Sequence, residues 1–160
     1  MKNIEKQLDK AIAKFWDNAE RVPTNSELAF YRDRIGGFSA VMPIEHEEYW
    51  SEVLDNLKPD DVLCDMGAAF GRMALQATQR CKKVYMVDLC PELVQIFLKV
   101  VNFDIPRNLV VICADWNNIS VSDDVTVISC LVNISKEDLP QNWWQEGRRV
   151  LLHIKSQDDL

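Results

Sequence analysis

The sequence has no apolar run that approaches the roughly 20 residues needed to cross a bilayer. Its N-terminal residues also lack the apolar core of a secretory signal peptide. Basic residues are not in excess, because the formal net charge is −7 at pH 7. That balance argues against a protein that grips nucleic acid mainly through its phosphates. We therefore expect a cytoplasmic protein with no membrane partner, and we do not favour nucleic acid as a partner.

Paired cysteines of the kind that bind metals are missing as well. The five cysteines are widely spaced, odd in number and contain no Cys-x-x-Cys pair. They predict neither a zinc site nor a disulfide framework, so we expect no metal site. Three of them fit best as small core residues within apolar runs, namely Cys64, Cys113 and Cys130.

What is present is an ordinary globular composition of 160 residues, 48% apolar and 27% charged. This length predicts a single domain overall. Residues 1–58 show helical spacing of apolar side chains, as at Ile4, Leu8 and Ile12, and are expected to pack as a helical segment on a core at 59–160. Further helices are expected from a capping box at Thr24 to about Gly36, and over 45–57.

Strands and helices are predicted to alternate after residue 58. Strands are expected at 61–65, 83–88, 109–114, 124–130 and 148–154, with helices at 71–81, 91–103 and 136–146. Such alternation predicts βαβ units and a parallel sheet, which makes the fold α/β.

Three of the predicted strands end in an acidic residue. Asp65 opens the stretch Asp65-x-Gly67-x-Ala69-x-Gly71, which predicts a tight turn between the first strand and a helix. Asp88 ends the second strand, at a spacing where a carboxylate can bind both ribose hydroxyls. Asp115 follows the third strand. Ligands of open α/β sheets bind at these strand ends, so the pattern predicts a nucleotide-type cofactor site.

These motifs resemble those of the class I S-adenosylmethionine-dependent methyltransferases. The stretch 65–71 is similar to the family's first motif, with Ala69 in place of the middle glycine. Residues 87–93, 114–116 and 124–130 are similar to its second, third and fourth motifs. The resemblance implies a Rossmann-like, doubly wound, mostly parallel sheet of about five strands with N-terminal helices, and S-adenosyl-L-methionine as the cofactor.

The resemblance also implies roles for individual residues. Residues 67–71 would line the methionine part of the cofactor, Asp88 would hold the ribose, and Leu89 would pack on the adenine. The expected cofactor-binding residues are Asp65, Gly67, Ala69, Gly71, Asp88, Leu89, Asp115, Trp116 and Cys130. No catalytic residue is assigned, although the loop 129–133 would face the substrate and His46 lies where a lid is expected.

Several of these residues have simpler interpretations. Asp65 could merely cap the following helix, Asp88 could be an exposed strand end, and Trp116 could be an ordinary surface or core aromatic. The family's sixth and seventh strands also have no room before Leu160. We therefore expect the fifth strand to form a sheet edge that is covered by the N-terminal helices, a second copy or a partner protein.

Three functions remain open. The first is transfer of a methyl group from S-adenosyl-L-methionine to a small-molecule or macromolecular acceptor. The second is a non-catalytic methyltransferase-like subunit that acts through protein interactions. The third is an NAD-dependent oxidoreductase, which is disfavoured because Ala69 and Arg72 occupy places where Gly-x-Gly-x-x-Gly requires glycine.

Overall fold

The computed structural model describes residues 2–21, 48–102, 104–130 and 139–152. Two helices come first, and strands then alternate with helices and single-turn 3₁₀ helices, the latter at Trp116–Asn118 and Gln141–Trp143. The elements are α1 (Lys2–Arg21), α2 (Glu48–Asp55), β1 (Val62–Met66), α3 (Arg72–Ala77), β2 (Lys83–Asp88), α4 (Pro91–Val100), β3 (Leu109–Cys113), β4 (Val127–Cys130) and β5 (Arg149–Leu152). The predicted helix from Thr24 to Gly36 lies outside the described residues.

The five strands form one parallel sheet in the order β3-β2-β1-β4-β5. This confirms the predicted parallel α/β architecture of about five strands. Asp65 of β1 lies in register with Met86 of β2 on one side and with Ser129 of β4 on the other. Because all strands run the same way, their carboxyl ends meet at one edge of the sheet. β3 and β5 are the outer strands of the described sheet, and a partner at β5 stays a prediction.

Local sequence explains where the helices around the sheet begin and end. Pro91 starts α4 at the position where its missing N–H costs nothing. α3 is shorter than predicted and stops at Ala77. The Thr78 hydroxyl donates to the Leu75 carbonyl at 2.7 Å, a side-chain contact that competes with continuation of the helix.

The helix predicted over 136–146 is wrong for the residues that the structure describes there, 139–146. They contain only the 3₁₀ turn Gln141–Trp143. Pro140 precedes that turn with a ψ of 132°, an extended conformation. Proline has no N–H to continue a helix, and its ring clashes with the preceding turn. The described part of this segment, which contains Trp143 and Trp144, therefore forms a turn instead of the predicted helix.

The sheet separates two apolar clusters. On one face, strand side chains such as Leu63, Val84 and Met86 pack against the helices, including Leu8 of α1 and Phe97 of α4. The other face holds a second cluster formed by Val62, Cys64, Met66, Val87, Val125, Ile128, Cys130, Leu139 and Trp143. By strand alternation, Asp65, Asp88 and Ser129 point to the first, helix-covered face.

A polar network links β1, β4 and β5 at the edge of the sheet where these strands begin, opposite their carboxyl ends. Asp61 accepts hydrogen bonds from the Thr126 hydroxyl at 2.9 Å, from the Lys58 amide at 2.6 Å and from the Arg149 guanidinium. Burial alone would raise the pKa of Asp61, but the bonds from Arg149, Lys58 and Thr126 hold it below its ordinary value. This network stabilises the fold and lies away from the predicted site.

None of the described helices is both long and apolar enough to span a bilayer.

Candidate cofactor site

Asp88 holds together the two loops that follow β1 and β2. Its Oδ2 accepts from the Ala69 amide at 2.7 Å, and its Oδ1 accepts from the Cys90 amide at 2.8 Å. The residue is only 3% exposed, so Asp88 is not an exposed strand end. Both carboxylate oxygens therefore take part in holding the two loops in place. Asp88 therefore combines a structural role with the position expected of a ribose-binding acid.

The loop between β1 and α3 has three left-handed residues. The φ angles are 76° at Gly67, 50° at Ala69 and 67° at Gly71. The Gly67 and Ala68 amides both donate to the Val87 carbonyl, at 2.9 and 3.0 Å, which fixes the loop against β2. The left-handed conformation costs an alanine roughly 1 kcal/mol. Ala69 adopts it while its amide is held by Asp88.

Gly71 is required by packing inside the protein. A Cβ built there would lie 2.6 Å from Met86 Sδ and 2.9 Å from Phe97 Cδ2. The glycine thus lets the start of α3 approach β2 and α4 closely, which is the helix–strand packing role known for glycine in such loops. The expected contact of Gly71 with the methionine part of the cofactor remains a prediction.

Asp65 is fully enclosed and hydrogen-bonded to the neighbouring strand. It is 3% exposed, and its Oδ1 accepts from the Ser129 hydroxyl at 3.0 Å. Its role as a simple helix cap is not observed, because the cap position Gly71 has no side-chain hydrogen bond and Asp65 bonds to β4 instead. Burial, with a further contribution from the Asp88 charge, raises the pKa of Asp65 to about 7 against the opposing Ser129 bond. Asp65 and Asp88 lie near the carboxyl ends of adjacent strands but have different hydrogen-bond donors. A side-chain hydroxyl donates to Asp65, and two backbone amides donate to Asp88.

Asp115 and Trp116 follow β3 beside the same edge. The Ala114 amide donates to the Asp88 carbonyl at 3.0 Å, so this segment is tied to β2. Asp115 Oδ1 accepts from the amide and side chain of Asn117, at 2.9 and 3.0 Å. Trp116 packs edge-on against the buried Trp143, with ring centroids 5.9 Å apart. Trp116 is thus partly a core aromatic, and its stacking on adenine stays a prediction.

Leu89 and Cys130 differ sharply in accessibility. Leu89 follows Asp88 directly and is 40% exposed, as expected of a residue that packs against an apolar ligand surface. Cys130 ends β4 and is fully buried in the second cluster. Cys64 of β1 lies in the same cluster, and burial raises the pKa of its thiol to about 12, so that this thiol stays protonated. Leu89, but not Cys130, presents surface to a ligand in this structure.

The N-terminal helices contact the helix that follows the loop. Arg72, the first residue of α3, places Nη1 3.2 Å from Asp9 Oδ1 of α1. Its guanidinium lies over the Trp50 ring of α2, 5.5 Å from the centroid. The Asp9 contact is a charge contact without hydrogen-bond alignment. Helices α1 and α2 are thereby linked to the residue beside Gly71.

Ser129 is a partner of Asp65 that was not predicted from the sequence. The residue was expected in a substrate-facing loop, whereas it is fully buried inside β4. A single hydroxyl within an apolar strand, one strand away from a buried acid, is the signal that could have revealed the pair. Residues 131–133 of that loop and His46 lie outside the described residues. Within the described ranges no cluster of three His, Cys, Asp or Glu side chains could hold a metal ion.

Comparison with known proteins identifies the family. A family model described as a methyltransferase domain matches residues 64–153, from within β1 to just beyond β5. The chain therefore belongs to the methyltransferase-domain family, and the predicted class I S-adenosylmethionine-dependent family is confirmed. S-adenosyl-L-methionine is the cofactor of this domain, as the sequence predicted. No curated protein matches the chain.

Solved structures agree on the fold. The tRNA m1G37 methyltransferase of M. jannaschii is 17% identical with a TM-score of 0.51, and the match covers 58% of this chain and 29% of that one. Trm5b from Pyrococcus abyssi is 19% identical with a TM-score of 0.50, covering 58% and 27%. The chain thus matches less than a third of the length of these proteins, and at such identity they show the fold alone.

The residues at this edge fit the cofactor. S-adenosyl-L-methionine carries ribose hydroxyls, an adenine and positive charge. Asp88 places a carboxylate, the group that accepts from ribose hydroxyls, at the end of β2, and Leu89 offers an exposed apolar surface directly after it. Two buried acids, Asp65 and Asp88, suit a positively charged group better than an anion.

Proposed function

We propose that this chain transfers a methyl group from S-adenosyl-L-methionine to a small-molecule or macromolecular acceptor. The observation that carries the proposal is the Asp88 clamp. One carboxylate fixes the loop after β1 through the Ala69 amide and the loop after β2 through the Cys90 amide. A binding surface made from two loops is thereby preorganised around one acid, with the exposed Leu89 beside it.

The chain's own residues contribute mainly alignment. The bound cofactor supplies a methyl group on a sulfonium, which a nucleophile displaces directly. Asp88 would accept from the ribose hydroxyls and Leu89 would cover one face of the adenine. Asp115 would bind the adenine amine through Oδ2, since Oδ1 already accepts from Asn117. Holding the cofactor rigidly reduces the entropic cost of reaching an in-line geometry.

A non-catalytic subunit is the second candidate. The left-handed Ala69 favours it, because its methyl group lies where the family motif has glycine. The net charge of −7 weighs against an acceptor held by its phosphates, although the solved structures above include a tRNA methyltransferase. Transfer of labelled methyl groups to cell-extract fractions separates an enzyme from a subunit that only binds.

Calorimetric titration tests the cofactor site directly. We expect the chain to bind S-adenosyl-L-homocysteine in the nanomolar-to-micromolar range and not to bind NADH. Leu89→Ala should weaken binding by about 1 kcal/mol, roughly fivefold, because it removes apolar surface from the adenine. Val110→Ala is the matched control, since Val110 is similarly exposed, at 37%, but lies within β3. Equal affinities for both variants would contradict the assigned site, and no binding by the unaltered chain would refute the function.

A further inference from the structure

The Asp65–Ser129 pair joins β1 to β4 on the helix-covered face of the sheet. The two residues are in register, and the hydroxyl donates to Asp65 Oδ1 at 3.0 Å. Ser129 is fully buried and Asp65 is 3% exposed. A carboxyl this enclosed has few positions from which water can solvate a charge, so its ionisation depends on the protein groups around it.

The surroundings of Asp65 contain no compensating cation among the described residues. The groups that face it are the Ser129 hydroxyl from β4 and the acid Asp88 from β2, whereas the Cys64 thiol of its own strand points to the opposite face of the sheet. Asp88 differs, because two backbone amides donate to it, an arrangement that stabilises negative charge. Burial therefore disfavours the charged form at Asp65, to which the Ser129 hydroxyl donates.

We propose that Ser129 is a positioning residue that holds the Asp65 carboxyl at the cofactor site, and that this carboxyl loses its proton to solvent when the cationic cofactor binds. The proposal rests on the proposed function. The O–H bond of the carboxyl breaks, the proton passes to the buffer, and the carboxylate keeps the Ser129 hydrogen bond. Cofactor affinity then rises with pH, since at low pH binding must first remove the Asp65 proton.

Replacing the hydroxyl should shift this pH dependence. Ser129→Ala removes a hydrogen bond to a charged group, so ionisation of Asp65 becomes about tenfold less favourable. Affinity for S-adenosyl-L-methionine should fall about tenfold at pH 6 and be unchanged at pH 9, with the midpoint about one pH unit higher. Ser129→Thr keeps the hydroxyl and should restore the original profile. Ser120→Ala is the matched control, because Ser120 is exposed.

Calorimetry at pH 6 in phosphate and in bis-Tris, two buffers that titrate near this pH with different ionisation enthalpies, counts the released protons. The unaltered chain should release about one proton on binding, and Asp65→Asn should release none from this group. Thermal unfolding confirms that each variant is folded. An affinity loss in Ser129→Ala that is the same at every pH overturns the proposal, as does an unshifted profile. Failure of the unaltered chain to bind at any pH refutes the proposed function instead.

Discussion

Burial of Asp65 predicts that the ligand-free protein becomes less stable as the pH rises through neutrality. Asp65→Asn is the suitable perturbation, because asparagine has nearly the same shape but cannot ionise. Its side-chain oxygen can still accept from Ser129, 3.0 Å away in the native pair. The variant therefore removes the ionisation and changes little of the packing on this face of the sheet.

The direction of the pKa shift of Asp65 determines whether stability rises or falls with pH. Burial raises the pKa of Asp65 from 3.8 to about 7, so the folded state favours the protonated carboxyl. The resulting stabilisation is present in full below pH 3.8 and is lost as the pH rises to about 7. One pKa unit is worth about 1.4 kcal/mol. The free energy of unfolding of the unaltered chain should therefore fall by about 4 kcal/mol relative to Asp65→Asn between pH 4 and pH 8.

Urea unfolding followed by tryptophan fluorescence, at one-unit pH steps from 4 to 8, measures this difference. Contributions from titrating groups that do not interact with Asp65 cancel between the two proteins. Asp123→Asn is the matched control, because it makes the same replacement at an exposed carboxyl in a turn instead of at a buried one. Parallel stability profiles for Asp65→Asn and the unaltered chain would show that Asp65 ionises normally, and the reasoning about its burial would be wrong.

Two further substitutions test the packing and the far end of the sheet. Gly71→Ala should destabilise the protein by roughly 2–4 kcal/mol in thermal unfolding, since its Cβ meets Met86 and Phe97 in a left-handed conformation. Gly147→Ala, equally left-handed but with open space, should cost only about 1 kcal/mol, and equal losses would exclude the packing explanation. Arg149→Met should destabilise the protein by about 1–2 kcal/mol at pH 7, because loss of the partly exposed guanidinium leaves the Asp61 charge with fewer hydrogen-bond donors. Because the folded-state pKa of Asp61 is lowered, this loss should shrink as the pH falls below 4, and a pH-independent loss in urea unfolding would contradict the pairing.

Local patterns were sufficient to predict most of the sheet. Apolar runs bounded by acids predicted the ends of β1 and β2 to within a residue, because a buried strand and a polar strand end differ sharply in composition. Pro91 likewise predicted the start of α4. The helix prediction over 136–146 failed for the described residues 139–146, because the expected alternation of strands and helices took no account of Pro140 inside the segment.

The sequence placed Asp65 and Asp88 at the carboxyl ends of adjacent strands, but it did not reveal which groups donate hydrogen bonds to each carboxylate. Asp65 and Asp88 look alike in the sequence, since each follows an apolar run and precedes a loop. Their hydrogen-bond donors come from segments distant in the chain, as Ser129 in β4 does for Asp65. Strand order and register determine those contacts, and neither is written in the local sequence.

The role of Gly71 also depends on contacts that the local sequence does not reveal. A glycine in such a loop suggests close approach of a ligand, yet the neighbours of its missing Cβ are Met86 and Phe97. Met86 lies in register with Asp65, and Asp65 bonds to Ser129, so the packing of the loop and the ionisation of the buried acid share one row of the sheet. A change at Gly71 that pushes Met86 aside would therefore also alter the surroundings of Asp65. The loop at residues 67–71 and the Asp65 carboxyl thus share a packing neighbour in Met86, and the hydroxyl that donates to Asp65 comes from β4 rather than from residues 65–71.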